Sequence, residues 1–371
     1  MSDRINPFTP NFGQTPRHIA GRDLMISDIF DMLEGNIGSP ARTSIFIGAR
    51  GSGKTALLTY FASECLSRGW ISVSVSCVPG MQEDILQQAA IASENLIPKE
   101  KKTHITGVSL GNLFSVEWAE ESVQKPNWRT GITRLLEYLS ENETGLLITI
   151  DEVRPSLDEM IQVASVYQLL IRENRKVALL MAGLPSEVSM LINDRSVSFL
   201  RRASQYYLER IEDHDIETAF RLTVADSGKS VGTDALDKAV RAINGFPYMM
   251  QLVGYRAWQD SGDKEQIDSE NMERGIELAE KDFESRVLKA TVNELSRGDI
   301  AFLRAMLPDE GKSDITSIIS RMKKSSGYVS RYRARLIERG VIEAVSRGVV
   351  AFALPGLKEY LRGRKHLFGG E

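Results

Sequence analysis

The spacing of apolar positions changes several times along the chain, and each change marks a predicted element. Near residue 30 the apolar positions recur every three or four residues, which predicts a helix over 23–34. Between residues 43 and 211 short apolar runs alternate with longer amphipathic segments, a pattern typical of a parallel sheet covered by helices on both faces. The predicted strands cover 43–47, 71–76, 145–150, 177–181 and 205–211, and the predicted helices between them cover 54–67, 82–95, 128–141 and 157–173.

The remainder of the chain shows a different organisation. From about 213 to 286 only helical periodicity is present, which predicts a small helical subdomain. The last eighty residues predict three helices followed by a hairpin, the order of a winged helix. These three helices cover 299–306, 313–322 and 326–339, and the hairpin covers 341–354. The predicted units are therefore an extended N-terminal segment (1–20), a core (21–211), a helical lid (212–288) and a winged-helix domain (289–371).

One segment, 101–118, interrupts the alternation of strands and helices. Phe114, Val116 and Trp118 alternate with polar residues, and Gly111-Asn112 predicts a tight turn, so a hairpin is expected. Two interpretations are open. The hairpin caps the sheet, or it is an insertion that binds a protein partner.

The segment GARGSGKT, residues 48–55, matches the phosphate-binding pattern G-x-x-x-x-G-K-[ST] at every fixed position. It follows a predicted strand and precedes a predicted helix, so backbone N–H groups and the helix N-terminus converge on one point. We expect Lys54 to pair with the β- and γ-phosphates and Thr55 to hold Mg²⁺. The predicted phosphate-binding residues are Gly48, Ala49, Arg50, Gly51, Ser52, Gly53, Lys54 and Thr55. A chance glycine-rich turn is the competing interpretation.

A phosphate loop needs an acidic partner on another strand, and LLITIDE supplies Asp151 and Glu152. Its apolar residues predict a buried strand that presents both carboxylates at its C-terminal end. We expect Asp151 to hold Mg²⁺ through water and Glu152 to activate the attacking water, which favours hydrolysis over binding alone. The alternative is that both residues cap the following helix.

Arg201 and Arg202 lie just before the last predicted strand. Developing charge on a transferred phosphoryl group needs a cation, often an arginine from a neighbouring subunit. We predict that this pair has a catalytic role at a subunit edge. The competing interpretation is that the two arginines complement the dipole of a helix end.

Composition narrows the function classes. The chain of 371 residues is 42% apolar and 26% charged, and no apolar run reaches the roughly 18 to 20 residues that span a bilayer. No contact with a membrane is therefore expected. The N-terminus lacks a secretory apolar region, and two cysteines do not make a disulfide framework, so we expect a cytoplasmic protein.

The motifs together resemble a known group of proteins. The phosphate loop, the acidic strand end LLITIDE, HIAGRD, MAGLPS and GFPYMMQLVGYRAW resemble AAA+-like P-loop ATPases. Most similar are bacterial and archaeal ATPases related to replication initiators and to the STAND signalling class, which often end in a winged helix. The resemblance covers most of residues 16–360, and only its first two motifs are highly specific. It implies an α/β fold in which a P-loop NTPase parallel sheet carries a helical lid and a C-terminal winged helix.

The resemblance also implies the nucleotide. In such proteins an upstream Gly-Arg contacts the adenine region, which corresponds to Gly21 and Arg22, and a lid Gly-x-Pro packs on the base, which corresponds to Pro247. ATP with Mg²⁺ is thus the implied ligand. Two departures predict slow turnover: Ala182-Gly183 stands where a polar sensor is usual, and the lid lacks a sensor arginine in a G-x-x-R context, with Arg256 nearby but displaced.

The C-terminal part is basic. Residues 286–371 carry 17 Lys/Arg and 9 Asp/Glu, a net charge of +8, whereas the preceding part carries −12. This asymmetry is expected if the end of the chain contacts a polyanion. The predicted third helix places Arg331 and Arg335 one turn apart, with a serine, 326 or 330, near its start. The predicted DNA-binding residues are Ser326, Tyr328, Arg331, Arg335 and Arg347.

Two functions from different classes follow. The first is an ATP-hydrolysing switch whose winged helix binds double-stranded DNA, with a nucleotide-dependent homo-oligomer as its assembly. The second is a STAND-like signalling or scaffolding ATPase whose winged helix binds a protein partner, since fold does not decide function. A protein that binds the nucleotide without hydrolysing it remains a third interpretation.

Overall fold

A computed structural model describes residues 5–11, 13–35, 38–94 and 127–364. The predicted hairpin at 101–118 lies outside these residues. Within the described part, every predicted strand and helix of the core is present, with ends shifted by a few residues.

Five parallel strands form the central sheet, in the order β2-β3-β4-β1-β5. Their runs of Val, Ile and Leu are buried on both faces, because helices cover the sheet from both sides. The strands are β1 (Thr43–Ile47), β2 (Trp70–Ser76), β3 (Gly145–Asp151), β4 (Val177–Gly183) and β5 (Ser204–Tyr207).

The helices of the core lie in two layers. One layer packs around Phe46 and Phe61 on one face, and the other packs around Ile148 and Leu179 on the opposite face. The first layer contains α1 (Asp23–Leu33) and α2 (Lys54–Glu64), and the second contains α3 (Met81–Glu94), α4 (Trp128–Glu141), α5 (Asp158–Arg172) and α6 (Pro185–Asn193).

Strand β5 is shorter than the pattern over 205–211 predicts. It pairs only with β1, which ends at Ile47, and the last bond along this edge joins Leu208 N to Ile47 O at 2.7 Å. Beyond it the chain turns towards the lid, where Ile211 N donates to Gly245 O at 2.9 Å. The prediction that the strand continues to residue 211 was wrong, because its partner strand β1 ends at Ile47.

The register of the sheet decides where the motifs meet. Ile47 lies opposite Gly183, and Asp151 lies opposite Ser76, so the carboxyl ends of the strands share one edge. Ala182 and Gly183 are buried in β4, and a Cβ on Gly183 would come within 2.6 Å of Val153. Close apolar packing therefore occupies the position where a polar sensor is usual.

The lid follows β5 and consists of four helices with a two-stranded parallel ribbon. Its elements are α7 (Asp213–Ala225), β6 (Ser230–Val231), α8 (Thr233–Ile243), α9 (Pro247–Asp260), β7 (Gln266–Ile267) and α10 (Ser269–Phe283). The N-terminal segment crosses α9: Phe8 is buried against Gly254, and Thr9 N donates to Gln251 Oε1 at 2.9 Å. The predicted extended lead-in is thus packed onto the lid.

A π-helical turn, Glu284–Leu288, and a short helix α11 (Lys289–Asn293) lead from the lid to the C-terminal unit; together we call them the connector. Three helices and a three-stranded antiparallel sheet of order β8-β10-β9 follow, which is the arrangement of a winged helix. Their bounds are α12 (Arg297–Met306), β8 (Lys312–Asp314), α13 (Ile315–Met322), α14 (Ser326–Glu338), β9 (Ile342–Ser346) and β10 (Val349–Phe352). A final helix, α15 (Leu357–Gly363), was not predicted.

One hydrophobic core runs through the lid and the C-terminal unit. Buried side chains such as Phe246, Phe283, Phe302 and Leu336 belong to the same cluster. Among the described residues, no helix combines the length and the apolar character needed to cross a membrane.

Candidate functional site

The phosphate loop joins the end of β1 to the start of α2. Gly51 and Gly53 have φ of +79° and +94°, a left-handed conformation that side chains rarely adopt, so these positions require glycine. Gly53 is the residue immediately before helix α2, and its own conformation directs the chain into that helix. The loop therefore places backbone N–H groups at a helix N-terminus, where an anion is favoured.

Lys54 folds back over the loop. Its ammonium donates to Gly48 O at 2.8 Å and to Ala49 O at 2.7 Å. Burial lowers the pKa of Lys54 to about 8, an effect that nearby Asp151 and Glu152 only partly oppose. The ammonium is thus desolvated and held by neutral carbonyls, which leaves it ready to pair with an anion.

Thr55 and Asp151 meet across the sheet edge. Thr55 Oγ1 donates to Asp151 Oδ2 at 2.6 Å, and Asp151 Oδ1 accepts from Glu152 N at 2.9 Å. A hydroxyl and a carboxylate are oxygen ligands of the kind that Mg²⁺ prefers. The two residues predicted as metal ligands are therefore together, although they are 96 positions apart in sequence.

Glu152 has an unusual backbone. Its φ of +53° lies in the left-handed region, which is uncommon for a non-glycine residue and concentrates at functional sites. Its side chain is 70% exposed and lies 3.5 Å from Arg154 Nη2. Glu152 lines the cavity beside the phosphate loop, and its side chain is accessible to solvent.

The loop fits a phosphate group. The hydroxyl of Ser52 is buried without a hydrogen-bond partner, although buried polar groups normally have one. A Cβ on Gly48 would come within 2.5 Å of that hydroxyl, so the backbone here must be bare. An unpartnered hydroxyl and a desolvated ammonium at a helix N-terminus together make a suitable environment for phosphate oxygens, and Thr55 with Asp151 suits a divalent cation.

The start of the lid covers the phosphate loop. A Cβ on Gly51 would lie 2.6 Å from the Phe246 ring, and one on Gly53 would lie 3.9 Å from Pro247. Gly245 has φ of +76° and packs against Arg210 and the carbonyl of Ile211. The Gly-Phe-Pro segment thus turns sharply and places Pro247 beside the loop.

A cavity of about 440 Å³ lies between the phosphate loop, the lid and the N-terminal segment. Residues from all of these parts form its wall. The predicted residues among them are Arg22, Arg50, Gly51, Ser52, Gly53, Lys54, Thr55, Asp151, Glu152 and Pro247. Its volume lies within the range of small-molecule sites.

Arg22 lines this cavity, and Gly21 precedes it in the chain. Gly21 has φ of +61° and approaches Asp215, while Arg22 Nη2 donates to Glu209 O at 2.6 Å. Burial lowers the pKa of Arg22, and Asp215 and Glu209 oppose that shift. Arg22 therefore shapes the cavity wall between the core and the lid.

Sequence reasoning missed the contribution of the N-terminal segment and of the connector. Thr9 and Gln14 line the cavity, and the buried hydroxyl of Thr9 has no partner. Arg286, from the π-helical turn, lines it as well. An extended segment has no periodicity to mark its buried side, and Arg286 lies within an ordinary helical pattern, so no sequence signal distinguishes them.

Arg50 is not simply solvated. Its guanidinium pairs with Glu294 of the connector region at 2.8 Å, and both side chains are about half exposed. The preceding residue, Ala49, packs closely on Gly340, which follows α14. A Cβ on Gly340 would lie 2.4 Å from the Ala49 Cβ. The phosphate loop therefore contacts the C-terminal unit directly.

Arg201 and Arg202 end a 3-10 helix, Arg195–Arg202, before β5. Both are exposed, Arg201 Nε donates to Ile192 O at 3.0 Å, and neither lines the cavity. The structure brings them to the surface of the core and not to the phosphate loop of the same chain.

The C-terminal candidates separate into two groups. Ser326, Arg331 and Arg347 are exposed, whereas the ring of Tyr328 packs on Tyr332 with centroids 4.7 Å apart. The expectation that Arg335 shares an outward surface with Arg331 needs correction. Arg335 Nε donates to buried Asp299 at 2.8 Å, so its guanidinium is engaged in an ion pair within the protein although its side chain is 37% exposed.

The chain is similar to several known proteins. Residues 285–361 match the model of a family described as a domain of unknown function, DUF8462, which is less than half of the chain. No curated protein matches it significantly in sequence.

Two examples represent the solved structures that share its fold. The Walker-type ATPase PABY2304 of Pyrococcus abyssi has 13% identity, with 95% of this chain and 99% of that chain covered, and a TM-score of 0.66. The ORC2 protein of Aeropyrum pernix, in ADPNP and ADP complexes, has 12% identity, with 95% and 96% covered and a TM-score of 0.61. At these identities the likeness establishes the fold alone, and it confirms the predicted P-loop NTPase fold.

Proposed function

We propose that this chain binds ATP with Mg²⁺ in the 440 Å³ cavity and hydrolyses it slowly, as a switch. The observation that carries the proposal is the 2.6 Å contact between Thr55 and Asp151, beside a lysine desolvated in its glycine-rich loop. Two observations support a nucleoside triphosphate as the ligand. One is the phosphate-loop sequence, and the other is the structural similarity to the ORC2 protein, which was solved with ADPNP and ADP.

Each residue has a role in the proposed reaction. Lys54 pairs with the β- and γ-phosphate oxygens, and Thr55 with Asp151 would hold Mg²⁺, which supplies positive charge to those oxygens when bound. Glu152 orients a water molecule and accepts its proton as the water oxygen bonds to the γ-phosphorus. The bond to the β-γ bridging oxygen breaks, and ADP and phosphate leave.

The base is proposed to lie between the core and the lid. Pro247, Arg22 and the N-terminal segment surround that part of the cavity. Adenine is the base that the sequence resemblance implies, and the apolar wall from Ile19, Pro247 and Met250 suits a flat ring.

The hydrolysis proposal has a matched test. Glu152→Gln is expected to retain ATP binding and to lose at least tenfold in single-turnover hydrolysis, because the general base is removed. Glu143→Gln is the control, since Glu143 is also exposed, also has positive φ and stands at the other end of β3. Equal hydrolysis rates in the two variants would remove Glu152 from this role.

The C-terminal unit is proposed to bind double-stranded DNA through the exposed Ser326, Arg331 and Arg347. The net charge of +8 over residues 286–371 supports a polyanionic partner. Binding should weaken as salt rises, and Arg331→Ala with Arg347→Ala should reduce the slope of log K against log salt by about 2. Lys281→Ala, in the lid, is the control.

A protein partner is the alternative for the same unit. Absence of duplex binding at low salt, with and without ATP, would reject the DNA proposal and favour the STAND-like signalling function. Arg201 and Arg202 are proposed to act on the nucleotide of an adjacent copy in a nucleotide-dependent oligomer, because both are exposed and neither lines the cavity of its own chain. The proposed units are the core (21–211), the lid (212–288) and the winged helix (289–371).

A further inference from the structure

Arg286 stands where the lid ends and the C-terminal unit begins. It belongs to the π-helical turn Glu284–Leu288, which interrupts the helical run from α10 into α11. Its side chain is on the wall of the nucleotide cavity, which Lys54, Thr55 and Asp151 also line. Single π-helical turns are rare and occur frequently at functional sites, because they displace one residue out of the regular helical spacing.

Arg286 lies beside a neutral side chain, Tyr248. Hydrogen bonding with the Tyr248 hydroxyl raises the pKa of Arg286, burial opposes that shift, and the nearby carboxylate of Asp282 adds to it. Tyr248 lies against the phosphate loop, since a Cβ on Gly51 would be 3.4 Å from the Tyr248 Cβ. Arg286 is therefore charged and held beside the loop by a group that a phosphate oxygen can replace.

Other arginines near the site have partners that occupy them. Arg256, which the sequence places near the usual position of a sensor arginine but displaced from it, pairs with Asp282 at 2.6 Å. Arg50 pairs with Glu294, and Arg22 donates to Glu209 O. Arg286 is thus better placed than these three to accept a new anion, because accepting one breaks no ion pair that the structure records for it.

The connector and the residues after it lie close to the phosphate loop. Ala290 of the connector lines the cavity, and Glu294, the next residue after α11, binds Arg50 of the loop. After α14, Gly340 packs on Ala49. A shift of Arg286 towards a ligand would therefore move a segment that is continuous with the winged helix and already in contact with the loop.

We propose that Arg286 binds the terminal phosphate of a nucleoside triphosphate, leaving Tyr248, and so couples occupancy of the cavity to the position of the C-terminal unit. This inference rests on the proposed function. It assigns the phosphate-sensing role to the π-helical turn of the connector and not to Arg256 of the lid.

The binding test compares three ligands by calorimetry: ATPγS, ADP and adenosine, with Mg²⁺ present. Arg286→Ala should weaken ATPγS binding by about tenfold to a hundredfold, as loss of a charged hydrogen bond does. The affinity for ADP should fall less, and the affinity for adenosine should not change. Arg286→Lys should restore part of the lost affinity for ATPγS. The matched control is Lys289→Ala, an exposed cation of the connector that does not line the cavity.

The outcomes separate this inference from the proposed function. If the wild type does not bind ATPγS, or Lys54→Ala binds it equally well, the proposed function fails. If Lys54→Ala loses binding and Arg286→Ala behaves as Lys289→Ala, the role of Arg286 alone is rejected. Equal weakening of all three ligands would also reject it, because it would indicate a distorted cavity.

A second measurement tests the coupling. Hydrogen exchange of the backbone around Gly340 should change when ATPγS binds to the wild type and to Lys289→Ala. At saturating ATPγS the change should be absent in Arg286→Ala. Persistence of the full change in that variant would overturn the coupling.

Discussion

Arg335, on α14, is ion-paired with the carboxylate of Asp299, which is completely buried near the start of α12. Ser296 completes the arrangement, since its backbone N and its hydroxyl donate to Asp299 at 2.9 and 2.8 Å. The pair therefore joins two helices of the winged helix. An arginine that the sequence presents as a DNA contact is engaged, although its side chain is 37% exposed, in an ion pair between two helices of the same unit.

Removal of Arg335 should destabilise the protein. Arg335→Ala leaves a buried carboxylate without its cation, and we expect the free energy of unfolding to fall by about 3 kcal/mol. Arg331→Ala, one turn away and exposed, should change it by less than about 0.5 kcal/mol. Urea denaturation of both variants measures the difference. Equal stabilities would show that the pair contributes nothing.

The effect of Arg335→Ala should depend on pH. Burial by itself would raise the pKa of Asp299, but the hydrogen bonds from Arg335 and Ser296 outweigh it and lower the pKa below its ordinary value. The wild type therefore gains stability from this group above the unfolded pKa and loses it as pH falls through the folded one. In the variant, burial favours protonation, so the stability gap should narrow in acid. A gap that widens below pH 4 would contradict this account.

Nucleotide affinity should fall in alkaline solution. The pKa of Lys54 is about 8 in the free protein, and pairing with phosphates raises it, so binding takes up a proton once the pH exceeds that value. The Kd for ATPγS should rise roughly tenfold between pH 7 and 9 through this group. Lys54→Arg, which stays charged, should remove most of that dependence. A pH-independent Kd in the wild type would rule out the lowered pKa.

The Mg²⁺ dependence of binding should require the Thr55 hydroxyl. Thr55→Val keeps the shape of the side chain and should reduce the Mg²⁺-dependent gain in ATPγS affinity by about tenfold. Thr59→Val is the control on the same helix, because its hydroxyl donates only to the carbonyl of Thr55 in this structure. Titrations with and without Mg²⁺ provide the comparison. Similar losses in both variants would place the effect in the helix and not at the metal position.

The N-terminal segment should stabilise the lid. The ring of Phe8 is 2% exposed, packs on Phe220 with centroids 5.0 Å apart, and lies where a Cβ on Gly254 would come within 2.2 Å. Gly254→Ala should therefore lower the free energy of unfolding by about 1 to 3 kcal/mol, because the added methyl group overpacks this contact. The same substitution should weaken ATP binding, because Thr9, the residue after Phe8, lines the cavity. Gly327→Ala, with open space around its position, is the control for stability and binding.

The local elements were predictable because they depend on local physics. Strand β1 and helix α4 begin and end where the periodicity predicted, since buried strands and amphipathic helices have clear spacing. The phosphate loop was predictable because its glycine positions follow from backbone conformation. The end of β5 was not, because pairing with β1 decided it.

By itself, the sequence determined the elements, the P-loop NTPase fold and the pairing of a phosphate loop with an acidic strand end. Only the tertiary structure decided which side chains face each other across long distances in sequence. It brought Thr55 to Asp151, paired Arg335 with buried Asp299 and placed Arg286 on the cavity wall. Periodicity reports which side of an element is buried, whereas an ion pair or a cavity wall depends on how separate elements pack together.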